Sequence, residues 1–391
     1  MVLRALAAVN VAAVERNVAR LGRELAPGCE ICAVVKAEGY GHGAVASARS
    51  ARAGGAGWLA VATAKEAGTL RAAGVEGRLL VMGSLLGADL AAALAADADV
   101  VAWREAFVDA VAARGGGRVH VKLDTGMGRL GTRDPEEATR VADAAAGAPG
   151  VELVGAMTHF ATADERGDAY FGEQLEAFRT WAMPLRERHP GVILHAANSA
   201  AILRDPGAHL DMVRPGVGIY GLDPFGEDPA ARDLEPALEL RAAVAALKAI
   251  APGQSVGYGW RFVASEPTTI ATLPVGYGDG WSRALTNAAD VLLDGERRPL
   301  VGTVSMDYVT VDAGPVPRVD VGDEAILLGG RGGERILAEE VARRLGTINY
   351  EITTALLARI PRFHHRDGEP VGEEDAALLG TGAEGASEAS L

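Results

Sequence analysis

Between residues 31 and 213 eight short apolar runs alternate with helical stretches, and this alternation restricts the fold more than any other feature. The runs lie at 31–35, 58–62, 79–82, 100–103, 119–123, 153–158, 193–196 and around Val213. Each is brief, apolar and closed by turn residues, the pattern of a strand buried on both faces. Helical stretches fall between most of them. The clearest covers 171–188, with Phe171, Leu175, Phe178, Ala182 and Leu185 on one face. A further helix is predicted before the first run, over 11–26. Eight strands alternating with helices favour a (β/α)8 barrel of the TIM type over an open sheet.

After about Glu235 the pattern changes. Strand-like segments at 269–272, 290–293, 302–311 and 324–328 follow one another, separated by Gly, Pro and Asp turns. Asp294-Gly295 is a hairpin signal. One helix, 338–345, interrupts them. The expected organisation is a barrel over 1–235, a mostly β domain over 236–365, and a disordered acidic tail over 366–391. No internal repeat is visible.

Composition excludes some functions. The net charge of −14 argues against a nucleic-acid surface. No apolar run approaches the ~18 residues of a membrane span, and the apolar stretch 5–14 leads into Glu15, Arg16 and Asn17 without a small-residue cleavage site. A cytoplasmic enzyme is expected. Cys29 and Cys32 form a C-x-x-C, but residues three apart in a strand face opposite ways and no second pair exists. Buried, reduced thiols are expected.

The stretch Ala33-Val34-Val35-Lys36-Ala37-Glu38-Gly39-Tyr40-Gly41-His42-Gly43 ends the first apolar run with a lone lysine and a glycine-rich turn. Partial desolvation there disfavours the ammonium, and a neutral amine can form a Schiff base. From the residues alone, an ordinary βα loop with a solvated lysine accounts for the stretch as well. Barrel active sites collect at the C-terminal strand ends, with phosphate sites often after strands 7 and 8. Asn198-Ser199 and Arg214-Pro215-Gly216-Val217-Gly218 stand there. A serine hydroxyl and glycine-freed N–H groups suit a phosphate dianion, although two ordinary loops would read the same way. His159, His195 and Asp124 at strand ends also permit a metallohydrolase, but no H-x-H pair follows strand 1 and that reading gives Lys36 no task.

The sequence AVVKAEGYGHG resembles the cofactor-lysine signature of the alanine racemases, approximately AVVKANAYGHG, and the resemblance extends over nearly the whole chain to about Phe363. It implies a pyridoxal 5'-phosphate enzyme with no catalytic metal, which interconverts L- and D-alanine and supplies D-alanine for peptidoglycan. Lys36 would carry the cofactor and serve the D-alanine face, and Tyr258 would serve the L-alanine face. Tyr40, Ser199, Gly216, Val217 and Tyr350 match positions that hold the cofactor phosphate, with Asn198 beside them. Arg214 matches the arginine facing the pyridine nitrogen, supported by His195.

Lys122-Leu123-Asp124-Thr125-Gly126-Met127-Gly128-Arg129 is similar to a second family block. Arg129 would bond the cofactor phenolate and the substrate carboxylate, and Lys122, carbamylated in many members, would orient it. His159 would pack by the ring and bond the catalytic tyrosine. Gly302-Thr303-Val304-Ser305-Met306-Asp307 resembles the block whose methionine offers its N–H to the substrate carboxylate, with Thr303 and Ser305 in place of the usual Arg and Cys. Tyr277 matches the tyrosine lining the substrate's approach. The resemblance further implies a head-to-tail homodimer whose sites are shared, the tyrosine coming from the partner. A broader serine-accepting racemase, another enzyme on the same barrel, such as a decarboxylase, and a non-enzymatic cofactor carrier are the rivals. The carrier relatives lack a β domain.

Overall fold

The computed structural model describes residues 3–378. They fall into two compact units, one spanning Val14–Glu227 and the other joining residues up to Ala13 with those from Asp228.

The first unit is a closed barrel of eight parallel strands: Glu30–Val34, Trp58–Val61, Arg78–Val81, Asp99–Ala102, Gly117–Lys122, Val151–Met157, Ile193–His195 and Met212–Val213. The last strand returns to the first, with Glu30 opposite Met212 and Ile31 opposite Val213. Every run expected from the sequence is a strand here. Most strand residues are buried, because one face fills the barrel and the other meets the helices. The helices begin on side-chain caps where the sequence provides them. Thr63 and Glu66 form a capping box at Ala64–Ala72. Asp134 caps Pro135–Gly147, with proline at the first helical position. Cys32 is fully buried and Cys29 half-buried, and both are free thiols. Burial, aided by Asp211 and Glu30, pushes Cys29 up to about 11, and burial pushes Cys32 up to about 12. Neither is a ready nucleophile at neutral pH.

The second unit is mostly β. Its large sheet runs in the order Glu296–Pro299, Asp290–Leu293, Glu324–Arg331, Leu238–Ala243, Ala5–Asn10, Arg362–Arg366 and Glu369–Pro370, with Glu334–Ile336 paired to Glu324–Arg331. A three-stranded sheet combines Ala246–Ile250, Thr268–Leu273 and Val309–Gly314. The Asp294-Gly295 turn is a hairpin, with φ of 49° and 73°, as a type I′ turn requires.

Three features differ from the sequence reading. Ala5–Asn10 is a strand of the second unit, paired with Leu238–Ala243 and Arg362–Arg366. It runs into the helix Val11–Gly22 without a turn, Asn10 Oδ1 accepting the Ala12 N–H at 3.2 Å. Residues 302–308, expected as strand, form a loop, and only Val309–Gly314 is extended. Residues 366–378 of the expected tail hold the end of the Arg362–Arg366 strand, Glu369–Pro370 and the short helix Glu373–Leu378. The remainder of that expected tail, from 379, lies outside the described residues. Among the described residues no helix is long and apolar enough to cross a membrane.

Candidate active site

Lys36 stands two residues beyond the end of the first barrel strand. The chain after it makes a left-handed turn: φ is 51° at Ala37, 54° at Glu38, 59° at Gly39 and 53° at Tyr40. Left-handed backbone costs about 1–2 kcal/mol for each residue with a Cβ, so the surroundings must hold it. The Ala37 N–H donates to Glu66 Oε1 at 2.7 Å. Gly41 N–H returns to Ala37 O, His42 N–H to Gly39 O and Gly43 N–H to Glu38 O. Only glycine fits at 39, where a Cβ would lie 2.5 Å from Ser47 Oγ. Strain of this kind is retained where a side chain must be aimed. Burial, then the nearby Arg129, lowers the pKa of Lys36, with Glu66 opposing. Glu66 escaped the sequence reading because it belongs to no motif of the strand-1 turn.

Lys122 is 4% exposed, at the end of the fifth strand. Burial and the charges of Arg214, Arg129 and Lys36 bring it down to about 8 despite Asp124. Lys122 therefore feels the charges of Lys36, Arg129 and Arg214 at one barrel mouth, and Lys36 that of Arg129. Such a cluster is relieved by an anion. Asp124 is committed elsewhere. Its carboxylate accepts from the N–H groups of Gly126 and Gly128 at 3.0 Å and from Arg133 at 3.2 Å, shaping the loop that carries Arg129.

At the other side of the mouth, Ser199 Oγ accepts from the Gly216 and Gly218 N–H groups at 3.0 and 3.1 Å. Its own O–H remains available to donate. A Cβ on Gly216 would lie 2.3 Å from Tyr40 Oη, so Tyr40, Gly216 and Ser199 make one cradle. Asn198 caps the helix Ser199–Arg204, its Oδ1 accepting from Ala201 N at 3.0 Å. Arg214 is 2% exposed and donates to Thr158 O at 2.7 Å, to Ala196 O at 3.0 Å and to His195 Nδ1 at 2.9 Å. Burial lowers it to about 10, which leaves it a cation at neutral pH. His159 Nδ1 lies 3.5 Å from Arg214 Nη2. Burial and the surrounding cations hold His159 and His195 neutral. With His195 committed to Arg214, and Asp124 to its amides and Arg133, the metallohydrolase set of the sequence reading is not assembled.

In the second unit, Tyr258 is at the tip of the ribbon formed by Ser255–Val256 and Phe262–Val263, and it is 73% exposed. Thr303 Oγ1 donates to the Tyr258 carbonyl at 2.6 Å, so the threonine that replaces the usual arginine ties this tip down. Tyr277 and Met306 are also exposed. Their loops are joined, Tyr277 N–H donating to Ser305 O at 3.0 Å and Gly278 N–H to Met306 O at 2.8 Å. Arg359 holds Asp307 at 2.7 Å. Tyr350 lies in the helix Asn349–Thr354, half-buried.

A parallel barrel with an amine of lowered basicity and an anion-seeking mouth, followed by a β domain, defines a class of lysine-dependent barrel enzymes. Two family descriptions match the chain: "Alanine racemase, N-terminal domain" over residues 9–224 and "Alanine racemase, C-terminal domain" over 237–364. The alanine racemase of Desulfovibrio desulfuricans is 41% identical over 366 residues, covering 92% of this chain and 97% of that protein. That of Frankia casuarinae is 42% identical over 372 residues, covering 92% and 96%. The crystal structure of alanine racemase from D-cycloserine producing Streptomyces lavendulae superposes with a TM-score of 0.88 at 37% identity, covering 93% of this chain and 97% of that one. The chain belongs to the alanine racemase family.

Proposed function

We infer that the chain interconverts L-alanine and D-alanine with pyridoxal 5'-phosphate, and that Lys36 and Tyr258 move the Cα proton on opposite faces. The observation that carries this is the Lys36 amine, lowered in basicity by burial and by Arg129 and followed at once by a left-handed turn. The residues present fit that cofactor. Four cations face one mouth, and the cradle of Tyr40, Gly216 and Ser199 has no room for a Cβ. When bound, the cofactor supplies an aldehyde that takes up the amino group and a conjugated ring that spreads the charge left at Cα.

The side chains do the rest. Ser199, Tyr40, Tyr350 and the backbone at Gly216 and Val217 hold the phosphate, and Asn198 fixes the start of the helix that carries Ser199. Arg214 donates to the pyridine nitrogen without giving up its proton, because a guanidinium remains charged even at about 10. Arg129 and the Met306 N–H bind the carboxylate, with Lys122 orienting Arg129 once carbamylation has made it an anion. A Lys122 amine at about 8 is partly neutral and so open to that reaction. Asp307 steadies Met306, and Tyr277 lines the approach. His159 bonds the Tyr258 hydroxyl.

Two bases on opposite faces invert the centre with little motion. The exposure of Tyr258, Trp260, Met306 and Tyr308 supports a head-to-tail homodimer in which the partner's Tyr258 completes each site. The test is conversion of L- to D-alanine by purified protein supplied with pyridoxal 5'-phosphate. Wild type is expected to reach an equal mixture, and Lys36→Ala to lose both the conversion and the visible band of bound cofactor. Full activity of Lys36→Ala without an added amine overturns the assignment.

A further inference from the structure

From Arg214 inward, four buried side chains run in single file through the barrel, Arg214 being the first. Arg214 Nη1 lies 2.9 Å from His195 Nδ1, His195 Nε2 lies 2.9 Å from His120 Nδ1, and His120 Nε2 lies 3.1 Å from Asp99 Oδ2. None of the four is more than 2% exposed. Arg214 follows the eighth strand and His195 ends the seventh, both at the mouth. His120 lies within the fifth strand, and Asp99 is the first residue of the fourth, at the opposite end of the barrel. The file therefore joins the mouth to the floor.

The two ends fix the direction of every bond between them. A guanidinium only donates, so His195 Nδ1 must be the bare, accepting nitrogen. His195 is neutral and carries its proton on Nε2, which donates to His120 Nδ1. His120 in turn carries its proton on Nε2 and donates to Asp99, whose carboxylate only accepts. One tautomer of each ring satisfies the whole file, and reversing either ring leaves two N–H groups or two bare nitrogens face to face. The floor is built to hold the accepting end. Asp99 also receives Arg78 Nη2 and Arg118 Nε, each at 2.6 Å. The Arg78 guanidinium lies 4.2 Å over Trp58, and that indole meets the His120 ring edge-on at 5.7 Å. Burial keeps His120 neutral against the pull of Asp99.

We propose that Asp99 and His120 are positioning residues for Arg214, fixing through His195 the tautomer that presents an acceptor to the guanidinium and so helping to set the reaction's fidelity from the floor of the barrel. This rests on the reading that Arg214 meets the pyridine nitrogen. The proton removed from alanine has two destinations. Returned to Cα, it completes racemisation. Delivered instead to the cofactor carbon that carried the aldehyde, it leads to exchange of the amino group for the aldehyde oxygen, giving pyruvate and the aminated cofactor. An arginine that donates firmly but keeps its proton disfavours the second course. An Arg214 released by a reversed His195 does so less well.

The test uses the holoenzyme with Asp99→Asn, which offers an oxygen and an NH2 where Asp99 offers two acceptors. Nitrogen-15 spectra of labelled histidine report the ring tautomers, and pyruvate formed per racemisation event reports fidelity. In wild type both His120 and His195 are expected as single Nε2–H tautomers. In Asp99→Asn, His195 is expected as a mixture. Pyruvate per event should rise about fivefold, the factor that corresponds to one neutral hydrogen bond, while KM for alanine moves less than about twofold. If Asp99→Asn does not fold, His120→Phe, which keeps the ring volume and cuts the file, is expected to raise the same ratio. An unchanged His195 tautomer, or an unchanged pyruvate ratio in the variant that folds, overturns the proposal. Arg214→Glu separates the two claims. If it leaves the ratio unchanged, the reading of Arg214 has failed; if it raises the ratio while the floor variants do not, only the present proposal has failed.

Discussion

Gly216→Ala tests the phosphate cradle at its tightest point. The added methyl carbon would sit 2.3 Å from Tyr40 Oη and 2.9 Å from Cζ. Non-bonded heavy atoms prefer about 3.5 Å, so the hydroxyl must retreat by about 1 Å. Tyr40 has little room to do so, being 7% exposed with its ring 5.1 Å from the buried ring of Tyr220. Tyr220 is itself fixed, its hydroxyl donating to Val34 O at 3.1 Å. Overpacking of this kind costs about 1–3 kcal/mol. The displaced Tyr40 would also lose the bond to the phosphate proposed for it. A hydrogen bond to a charged group contributes about 1.5–3 kcal/mol, which corresponds to about a 10- to 150-fold loss in affinity. Titration of cofactor-free protein with pyridoxal 5'-phosphate and with pyridoxal, followed by visible absorbance, measures this directly. The phosphorylated compound is expected to bind more weakly by that factor and pyridoxal to be unaffected. Adding Tyr40→Phe should recover part of the lost melting temperature, because the two sites are in contact. Wild-type affinity and melting temperature for Gly216→Ala would refute the cradle.

We propose that Tyr350, besides holding the phosphate, limits the size of the substrate pocket; Tyr350→Ala is then expected to admit serine, shifting the serine-to-alanine ratio of kcat/KM by about 10- to 200-fold, and an unchanged ratio means that another residue sets the limit. Asp99 contributes to the acid limb of the stability curve. Burial alone would raise its pKa, but the bonds from His120, Arg118 and Arg78 bring it from 3.8 to about 2. A depressed carboxyl stabilises the fold above its unfolded value and loses that contribution as the pH falls through its folded value. Asp99→Asn should therefore cost about 2 kcal/mol at neutral pH and flatten the decline between about pH 4 and 2, as read from urea midpoints across that range.

The barrel was legible because each strand is a short apolar run closed by a turn, and parallel strands buried on both faces need no subtler signal. Ala5–Asn10 was not, because no turn separates it from the helix that follows and its pairing partners lie beyond residue 235. The segment 302–308 reads as a strand by composition, yet its carbonyls at Ser305 and Met306 are taken by the Tyr277 loop, so it bends to meet that loop. Lys36, Ser199 and Arg214 stand at strand ends, where position alone suggests chemistry. Glu66 and His120 do not, and Asp99 stands at the opposite, N-terminal end of its strand. Their partners are 29, 75 and 21 residues away, and only the pairing and packing of the barrel strands bring them together.

The central claim is that Lys36 and Tyr258 serve one site from two subunits, and mixing two inactive variants tests it. Lys36→Ala and Tyr258→Phe each lack one of the two bases. A heterodimer of the two places both defects in one site and leaves the other with an intact Lys36 and an intact Tyr258. After subunit exchange has been demonstrated by mass, alanine racemisation should return to at most about half of the wild-type rate per heterodimer. A mixture that exchanges subunits and stays inactive would contradict the shared site and place the tyrosine with its own barrel.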